Sequence, residues 1–137
     1  MKNKLLLFFL LFNISILGAQ TIESVSRNTT GYIKSDGTIE NSSHQTVGYI
    51  KTDGTIEDKN RSTIGYIKSD GTIENKSRFT VGYVKSNGTV ESSNRSTIGY
   101  IKDDGTVENS SHSTIGYAKG VKKQWAAVVY FFFKWEE

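Results

Sequence analysis

The two histidines of the chain, His44 and His112, occupy the same position of a repeat of 17 residues. Arginine fills that position in the other copies, at Arg27, Arg61, Arg78 and Arg95. A metal ligand or a general base needs a free lone pair, and a guanidinium group stays protonated and has none. The exchange of His for Arg therefore argues against metal binding or acid–base catalysis and favours a solvated basic side chain.

One glutamate also recurs in every copy, at Glu23, Glu40, Glu57, Glu74, Glu91 and Glu108. An active site needs an asymmetric set of different groups in perturbed surroundings, whereas near-identical copies give near-identical surroundings. The sequence also lacks the Gly-x-Ser-x-Gly motif that exposes a catalytic serine. We therefore expect no catalytic residue and no enzymatic activity, and we expect each Glu to pair with Lys or Thr across the strands.

An acidic or amide residue precedes a glycine in five copies, at Asp36, Asp53, Asp70, Asn87 and Asp104. This series could indicate calcium binding, but it lacks the dense set of oxygen ligands that calcium loops contain. Asp and Asn also favour this turn position because their side chains bond to nearby backbone. We therefore expect neither a metal site nor a cofactor.

Six tyrosines, one per copy, are the remaining candidates for ligand binding: Tyr32, Tyr49, Tyr66, Tyr83, Tyr100 and Tyr117. Aromatic faces beside polar groups suit carbohydrates and other partly apolar ligands. Packing of Tyr on Val and Glu across strands explains the same pattern without any ligand. We favour packing and keep ligand binding by these tyrosines as the alternative.

These residues belong to a repeat that keeps its register over most of the chain. The dipeptide Gly-Tyr recurs every 17 residues, at Gly31, Gly48, Gly65, Gly82, Gly99 and Gly116. The triplet Thr-Ile-Glu or Thr-Val-Glu keeps the same interval, starting at Thr21, Thr38, Thr55, Thr72, Thr89 and Thr106. A fixed period indicates a repeat architecture. Runs of β-branched and aromatic residues between turn residues make it all-β.

Each copy predicts one β-hairpin. In the copy that starts at Thr46, a two-residue loop would mix apolar and charged side chains on both faces of the hairpin. A three-residue loop ending at Gly54 sets Ile50 opposite Ile56 and Tyr49 opposite Glu57, which separates the faces. We predict this second register, with Gly54 in the left-handed position of a type I turn with a bulge.

That register assigns side chains to two faces. Ile50, Ile56 and Gly48 share the inward face, where the glycine lets a neighbouring backbone approach closely. The outward face carries Val47, Tyr49, Lys51, Thr55 and Glu57. A single hairpin cannot bury its inward face alone, so the hairpins are expected to pack against each other.

The repeat begins and ends with half a copy. Thr21-Ile22-Glu23 matches the second strand of the hairpin, and Thr114 to Lys119 matches the first. Pairing of the two halves would close a ring of five intact hairpins plus one made from the two ends, which removes sticky sheet edges. An open β-solenoid with capped ends is the alternative, and the choice between five and six petals is left open.

The ends and the composition predict the domain organisation. Residues 1–19 combine a basic start, an apolar stretch and small residues, as in a secretory signal peptide cut after Ala19. Residues 20–120 form the hairpin domain, and residues 121–137 form its C-terminal apolar cap. Loss of Lys2 and Lys4 lowers the formal charge from +3 to +1, which argues against a nucleic-acid partner. The chain contains no Cys, so no disulfide stabilises it.

The apolar run Val128 to Phe133 does not reveal its secondary structure, because a buried strand and a helical turn look alike at this length. It is too short to span a membrane. We expect it to plug or cap the core. The alternative is an exposed apolar patch that docks on a membrane or a partner.

The repeated Ile-Gly-Tyr-Ile-Lys-Ser-Asp-Gly-Thr-Ile-Glu, as at Ile64 to Glu74, and the closing Gly116 to Lys123 with its apolar run resemble the five-fold β-flower proteins. The resemblance covers nearly the whole chain after residue 19. It implies hairpins arranged like petals around an axis and implies no enzymatic activity.

We therefore expect a secreted or periplasmic structural or interaction module whose partner is unknown, either an envelope protein or a glycan. The alternative function is a lectin-like protein that binds carbohydrate through the six tyrosines.

Overall fold

Each sequence copy contributes two antiparallel strands, and the computed structural model describes them over residues 20–135. The strands are β1 (Gln20–Ser24), β2 (Thr29–Ile33), β3 (Thr38–Asn41), β4 (Thr46–Ile50), β5 (Thr55–Asp58), β6 (Thr63–Ile67), β7 (Thr72–Asn75), β8 (Thr80–Val84), β9 (Thr89–Ser92), β10 (Thr97–Ile101), β11 (Thr106–Asn109) and β12 (Thr114–Tyr117). The predicted signal peptide, residues 1–19, lies outside the described residues.

The sheet closes on itself, because β1 pairs with both β2 and β12. The end strands pair Glu23 with Tyr117, which matches the pairing of Glu57 with Tyr49 inside an intact hairpin. The two half copies thus form a sixth hairpin in the regular register. The predicted ring of five intact hairpins plus one made from the ends is confirmed, and the ring has six petals.

The predicted hairpin register is also confirmed. Ile50 lies opposite Ile56 and Tyr49 lies opposite Glu57. Gly54 takes the left-handed conformation with a φ of 91°, and its N–H donates to the carbonyl of Lys51. The carbonyl of Gly54 accepts a 2.8 Å bond from the N–H of Ile67 in the next petal. This bond joins neighbouring petals. The close approach requires glycine, because a Cβ on Gly54 would collide with the Ile67 carbonyl.

One predicted side-chain orientation is wrong. Val47 was expected on the outward face, but it belongs to the buried apolar core. The reason is a β-bulge: Gly48 pairs with Ile39 and Thr46 pairs with Glu40, so Val47 has no partner on β3. A bulge redirects the extra residue relative to the strict alternation of a strand. The other petals carry the extra residue at Thr30, Ile64, Val81, Ile98 and Ile115.

The C-terminal segment enters the ring and completes the core. It forms helix α1 (Lys123–Ala127) and then a π-helix, Val128–Phe132. Ala126, Ala127 and Val128 are fully buried in the same cluster as the inward Ile and Val side chains of the strands. The expected plug is therefore confirmed and is helical. Among residues 20–135, no helix has the length and apolar character needed to cross a membrane.

Candidate functional site

The outer surface of the ring carries one cluster of Tyr, Glu and a planar basic side chain, Arg or His, per petal, which we call the outer cluster. In one of them, the guanidinium carbon of Arg61 lies 3.5 Å from the centre of the Tyr49 ring. Arg61 also donates a 3.2 Å hydrogen bond to Glu57. A cation over an aromatic face is attracted by the quadrupole of the ring. The same stacking occurs in the pairs Arg27–Tyr117, Arg78–Tyr66 and Arg95–Tyr83.

Histidine forms the remaining two stacks. The ring of His44 lies 4.1 Å from that of Tyr32 at an angle of 14°, and His112 stacks on Tyr100 in the same way. The Nδ1 atom of His44 lies 3.3 Å from Glu40. A flat imidazole thus covers the Tyr ring and reaches the Glu as a guanidinium does. This geometry explains why either His or Arg can occupy this position of the repeat.

The glutamates of the outer clusters lie beneath the basic side chains. Glu57 is only 9% exposed, although it is on the outer side of the sheet. In some clusters a lysine also forms an ion pair with the glutamate: Lys34–Glu40 at 3.3 Å, Lys68–Glu74 at 3.8 Å and Lys85–Glu91 at 3.6 Å. Burial acts to raise the pKa of Glu40, but the hydrogen bonds and charges of His44 and Lys34 outweigh it and hold the pKa below its usual value.

The Arg or His of each outer cluster has a strained backbone conformation. Arg61 has a φ of 67°, and the five equivalent Arg and His residues have φ values between 62° and 68°. A side chain in this left-handed region costs about 1–3 kcal/mol, and glycine would avoid that cost. The turn has the same hydrogen bonds as the Asp-Gly turn, since the Arg61 N–H donates to the Asp58 carbonyl. The hydrogen bonds of the turn do not account for the choice of Arg over Gly, so we attribute that choice to the contacts that the Arg61 side chain makes to Tyr49 and Glu57.

The stacks limit access to the six candidate tyrosines. All six rings are partly exposed, and one face of each is covered by Arg or His. A sugar would have to use what remains of each ring or displace the stacked cation. The sequence correctly predicted the tyrosines on strands and the Arg and His residues in turns, but the stacking between them was not predicted. The constant spacing could have indicated it, because the Arg or His follows the Tyr by 12 residues in five copies.

The turn aspartates bond to their own loops. Asp53 Oδ1 accepts a 2.9 Å bond from the N–H of Thr55, and this bond holds the pKa of Asp53 below its usual value. Asn87 accepts the equivalent bond from Thr89 at 3.0 Å. A neutral amide thus accepts the same hydrogen bond as a carboxylate, which indicates that these side chains stabilise the turns. In the part of the chain that the structure describes, no three acidic, His or Cys side chains group as metal ligands do.

Inside the ring, aromatic side chains of the C-terminal segment lie against the glycines of the Gly-Tyr dipeptides. We call each of these glycine positions a glycine seat. A Cβ built on Gly82 would collide with the ring of Phe132, so only glycine leaves room for it. Five seats are filled in reverse order around the ring, by Tyr130 on Gly116, Phe131 on Gly99, Phe132 on Gly82, Phe133 on Gly65 and Trp135 on Gly48.

The π-helix explains how consecutive aromatic residues reach consecutive petals. An α-helix turns about 100° per residue, whereas the petals of a six-petal ring are about 60° apart. The N–H of Phe133 donates to the carbonyl of Val128, five residues earlier, and this wider turn rotates less per residue. Residues 130–133 thereby follow the ring more closely than an α-helix could.

The family model of the 5-fold beta-flower protein matches residues 19–134. The chain belongs to this family. No curated protein and no solved structure matched the chain. The predicted resemblance is therefore confirmed, and with it an all-β fold of hairpin repeats.

In this β-flower the ring has six petals but the described chain fills only five glycine seats. Gly31 makes the same close approach to the opposite strand, because a Cβ there would lie 2.6 Å from the Glu40 carbonyl oxygen. Among residues 20–135, no aromatic ring lies against Gly31. The inner arrangement thus breaks the symmetry that the outer clusters keep.

Proposed function

We propose that this β-flower is a non-enzymatic structural or interaction module that acts outside the cytoplasm, in the periplasm or as a secreted protein. One observation carries the proposal: the Tyr, the Glu and the Arg or His of the outer clusters recur with similar neighbours around the ring, as Arg61 and Arg78 show. Catalysis needs groups whose environments differ. A repeated surface instead suits the binding of one ligand type at several equivalent places.

The outer clusters define the chemistry of that surface. Five of their glutamates are buried and Glu23 is partly exposed, whereas the Arg and His side chains above them are about 60% exposed, for example 60% for Arg61 and 62% for His44. The exposed part of each cluster is therefore an Arg or His side chain next to the edge of a Tyr ring. This combination suits an acidic or polyhydroxylated partner in the cell envelope, either a protein or a glycan.

A capture experiment from envelope extract tests the proposal. Immobilised protein is compared with variants in which Arg61, then Arg61 and Arg95, then all four cluster arginines are replaced by Ser. Equivalent sites predict a stepwise fall in the captured partner, because each lost cluster lowers the avidity. Phe79→Ala is the matched control, since Phe79 is 70% exposed on a turn but belongs to no outer cluster. Complete loss with one cluster alone would contradict equivalence.

Activity screens test the other half of the proposal. Clean protein is assayed for esterase, glycosidase and protease turnover. Turnover that a single substitution such as Glu57→Gln abolishes would refute a non-enzymatic role. The signal peptide is tested separately by the N-terminal residue of the exported protein, which is expected to be Gln20.

Carbohydrate binding through the tyrosines is the second candidate. It is favoured by the partial exposure of all six rings next to charged groups. A glycan array with wild type, Tyr66→Ala and Tyr66→Phe tests it. Binding that weakens in Tyr66→Ala and survives in Tyr66→Phe would support a lectin. No glycan signal for wild type would exclude it among the sugars on the array.

A further inference from the structure

The petal that contains Gly31 differs from the other five on the inside of the ring. Its glycine seat holds no aromatic side chain of the described chain. Its bulge residue is Thr30, whereas the other petals carry Val or Ile there. Thr30 donates its hydroxyl proton to the carbonyl of Ile22 at 3.2 Å. This petal therefore departs from the other five in two ways, in the residue at its bulge and in the lack of an aromatic side chain of the described chain against its glycine.

A cavity of about 120 Å³ occupies this place. Gly31, Ile22 and Ile39 line it on the sheet side. Val47, Val129 and Trp135 line it as well, and Thr30, Glu40 and Asn41 add the polar part of its wall. An aliphatic cavity of about 150 Å³ engineered in another protein stays dry and binds benzene. The volume at Gly31 is thus close to what one six-membered aromatic ring needs.

Trp135 adds an aromatic ring to the wall of the cavity, and the benzo edge of that ring lies against Gly48. Thr30 and Asn41 carry the neutral side-chain groups of this wall that can hydrogen-bond to a bound molecule.

We propose that the vacant seat at Gly31 is a binding site for a small monocyclic aromatic molecule that carries an oxygen acceptor, as a phenol does. Five equivalent seats already hold aromatic rings, which shows the shape that this backbone accepts. The sixth differs in offering a cavity instead of a ring, with Thr30 and Asn41 as hydrogen-bond partners for the oxygen. The ring of the ligand takes the place that Phe132 takes at Gly82.

Titration with p-cresol tests the site. The readout is the fluorescence of Trp135 in a Trp125→Phe background, which removes the other tryptophan of the chain. We expect saturable binding of one molecule per chain, with a dissociation constant of about 1 mM or tighter. Toluene, which lacks the acceptor, should bind several-fold more weakly, and cyclohexanol, which is not flat, should bind least. Absence of saturable p-cresol binding, or equal binding of all three, would overturn the proposal.

Two variants locate the bound molecule. Val129→Phe brings a phenyl ring into the cavity from the π-helix and should weaken p-cresol binding at least tenfold. Phe132→Ala empties the seat at Gly82 and should raise the stoichiometry from one to two, with p-cresol raising the melting temperature of this variant more than that of wild type. Circular dichroism verifies the fold of each variant. Unchanged binding in a folded Val129→Phe protein would place the molecule elsewhere and overturn the assignment.

If either variant fails to fold, nuclear Overhauser contacts between p-cresol and the Thr30 methyl group in wild type decide the same question. Contacts to Thr30 support the site. Saturable binding without them refutes it.

Discussion

The hydroxyl of Tyr130 lies 2.7 Å from the carbonyl oxygen of Glu23 and donates a hydrogen bond to it across a sequence separation of 107 residues. The carbonyl of Tyr117 lies 3.1 Å from the same hydroxyl. Glu23 is on β1 and Tyr117 is on β12, so the plug contacts the seam where the two ends of the repeat meet. The other three aromatic residues of the run are phenylalanines, and they face petals whose two strands are joined by a loop.

Tyr130→Phe is therefore expected to lower the free energy of unfolding by about 1 kcal/mol at neutral pH, since one partly buried hydrogen bond is lost. Phe132→Tyr is the matched control, because it adds a hydroxyl at a petal without a seam. Urea denaturation followed by circular dichroism measures both. Equal stability of wild type and Tyr130→Phe would show that the seam does not depend on this bond.

The same tyrosine makes stability depend on alkaline pH. Burial raises the pKa of Tyr130 to about 12, and the nearby charge of Glu23 adds to the rise. The unfolded chain titrates near 10, so this contribution to stability is complete below pH 10 and falls as the pH rises to 12. Wild type should lose more stability than Tyr130→Phe between these values. Parallel pH profiles of the two proteins would contradict the buried position of the hydroxyl.

Gly82→Ala should destabilise the ring more than Gly31→Ala does. Both methyl groups meet a cross-strand carbonyl, but only the one on Gly82 also collides with an aromatic ring, that of Phe132. Overpacking of a core costs about 1–3 kcal/mol, and we expect this difference between the two variants in urea denaturation. The double variant Gly82→Ala/Phe132→Leu should recover part of the loss. No recovery would mean that the backbone contact alone sets the cost.

Substitutions of Arg61 separate strain from contact. Arg61→Ala keeps the left-handed backbone but loses the stack on Tyr49 and the bond to Glu57, so it should be the least stable variant. Arg61→Gly loses the same contacts but relieves the strain, and should be more stable than Ala by about 1 kcal/mol. Arg61→His should stay close to wild type, because His44 makes the same contacts in its own petal. A ranking with Ala above Gly by thermal denaturation would refute the strained turn.

The turn aspartates should make the ring sensitive to acid. Backbone N–H bonds hold the pKa values of Asp36, Asp53, Asp70 and Asp104 below the usual 3.8. Their contribution to stability is complete above that value and is lost as the pH falls through the lowered pKa values. A variant with all four changed to Asn should match wild type at pH 7 and lose less stability below pH 3.8, as Asn87 already makes the bond. Identical acid profiles would refute this role.

Local chemistry in the sequence was sufficient for the petals. The pairing of Ile50 with Ile56 follows from turn residues and from the separation of apolar and charged side chains, which are set by neighbours a few residues apart. The closure of the ring was also predictable, because the half copies at Thr21 and Thr114 complete one hairpin. These features repeat, so each copy supports the interpretation of the others.

The three-dimensional packing decided what lies between the copies. Val47 turns inward because of a bulge against β3, and a bulge depends on the partner strand rather than on the sequence of β4. Stacking of Arg61 on Tyr49 needs a backbone conformation that propensity disfavours for Arg.

The sequence by itself determined the repeat, the strands, the hairpin register and the closing of the ends, because these depend on short-range patterns. Only the tertiary structure decided the conformation of the run Val128 to Phe133, which has no period that distinguishes strand from helix. There the run forms a π-helix whose aromatic side chains lie against successive glycine seats. Within residues 20–135, five aromatic rings meet six seats, and the cavity lies at the sixth seat, Gly31.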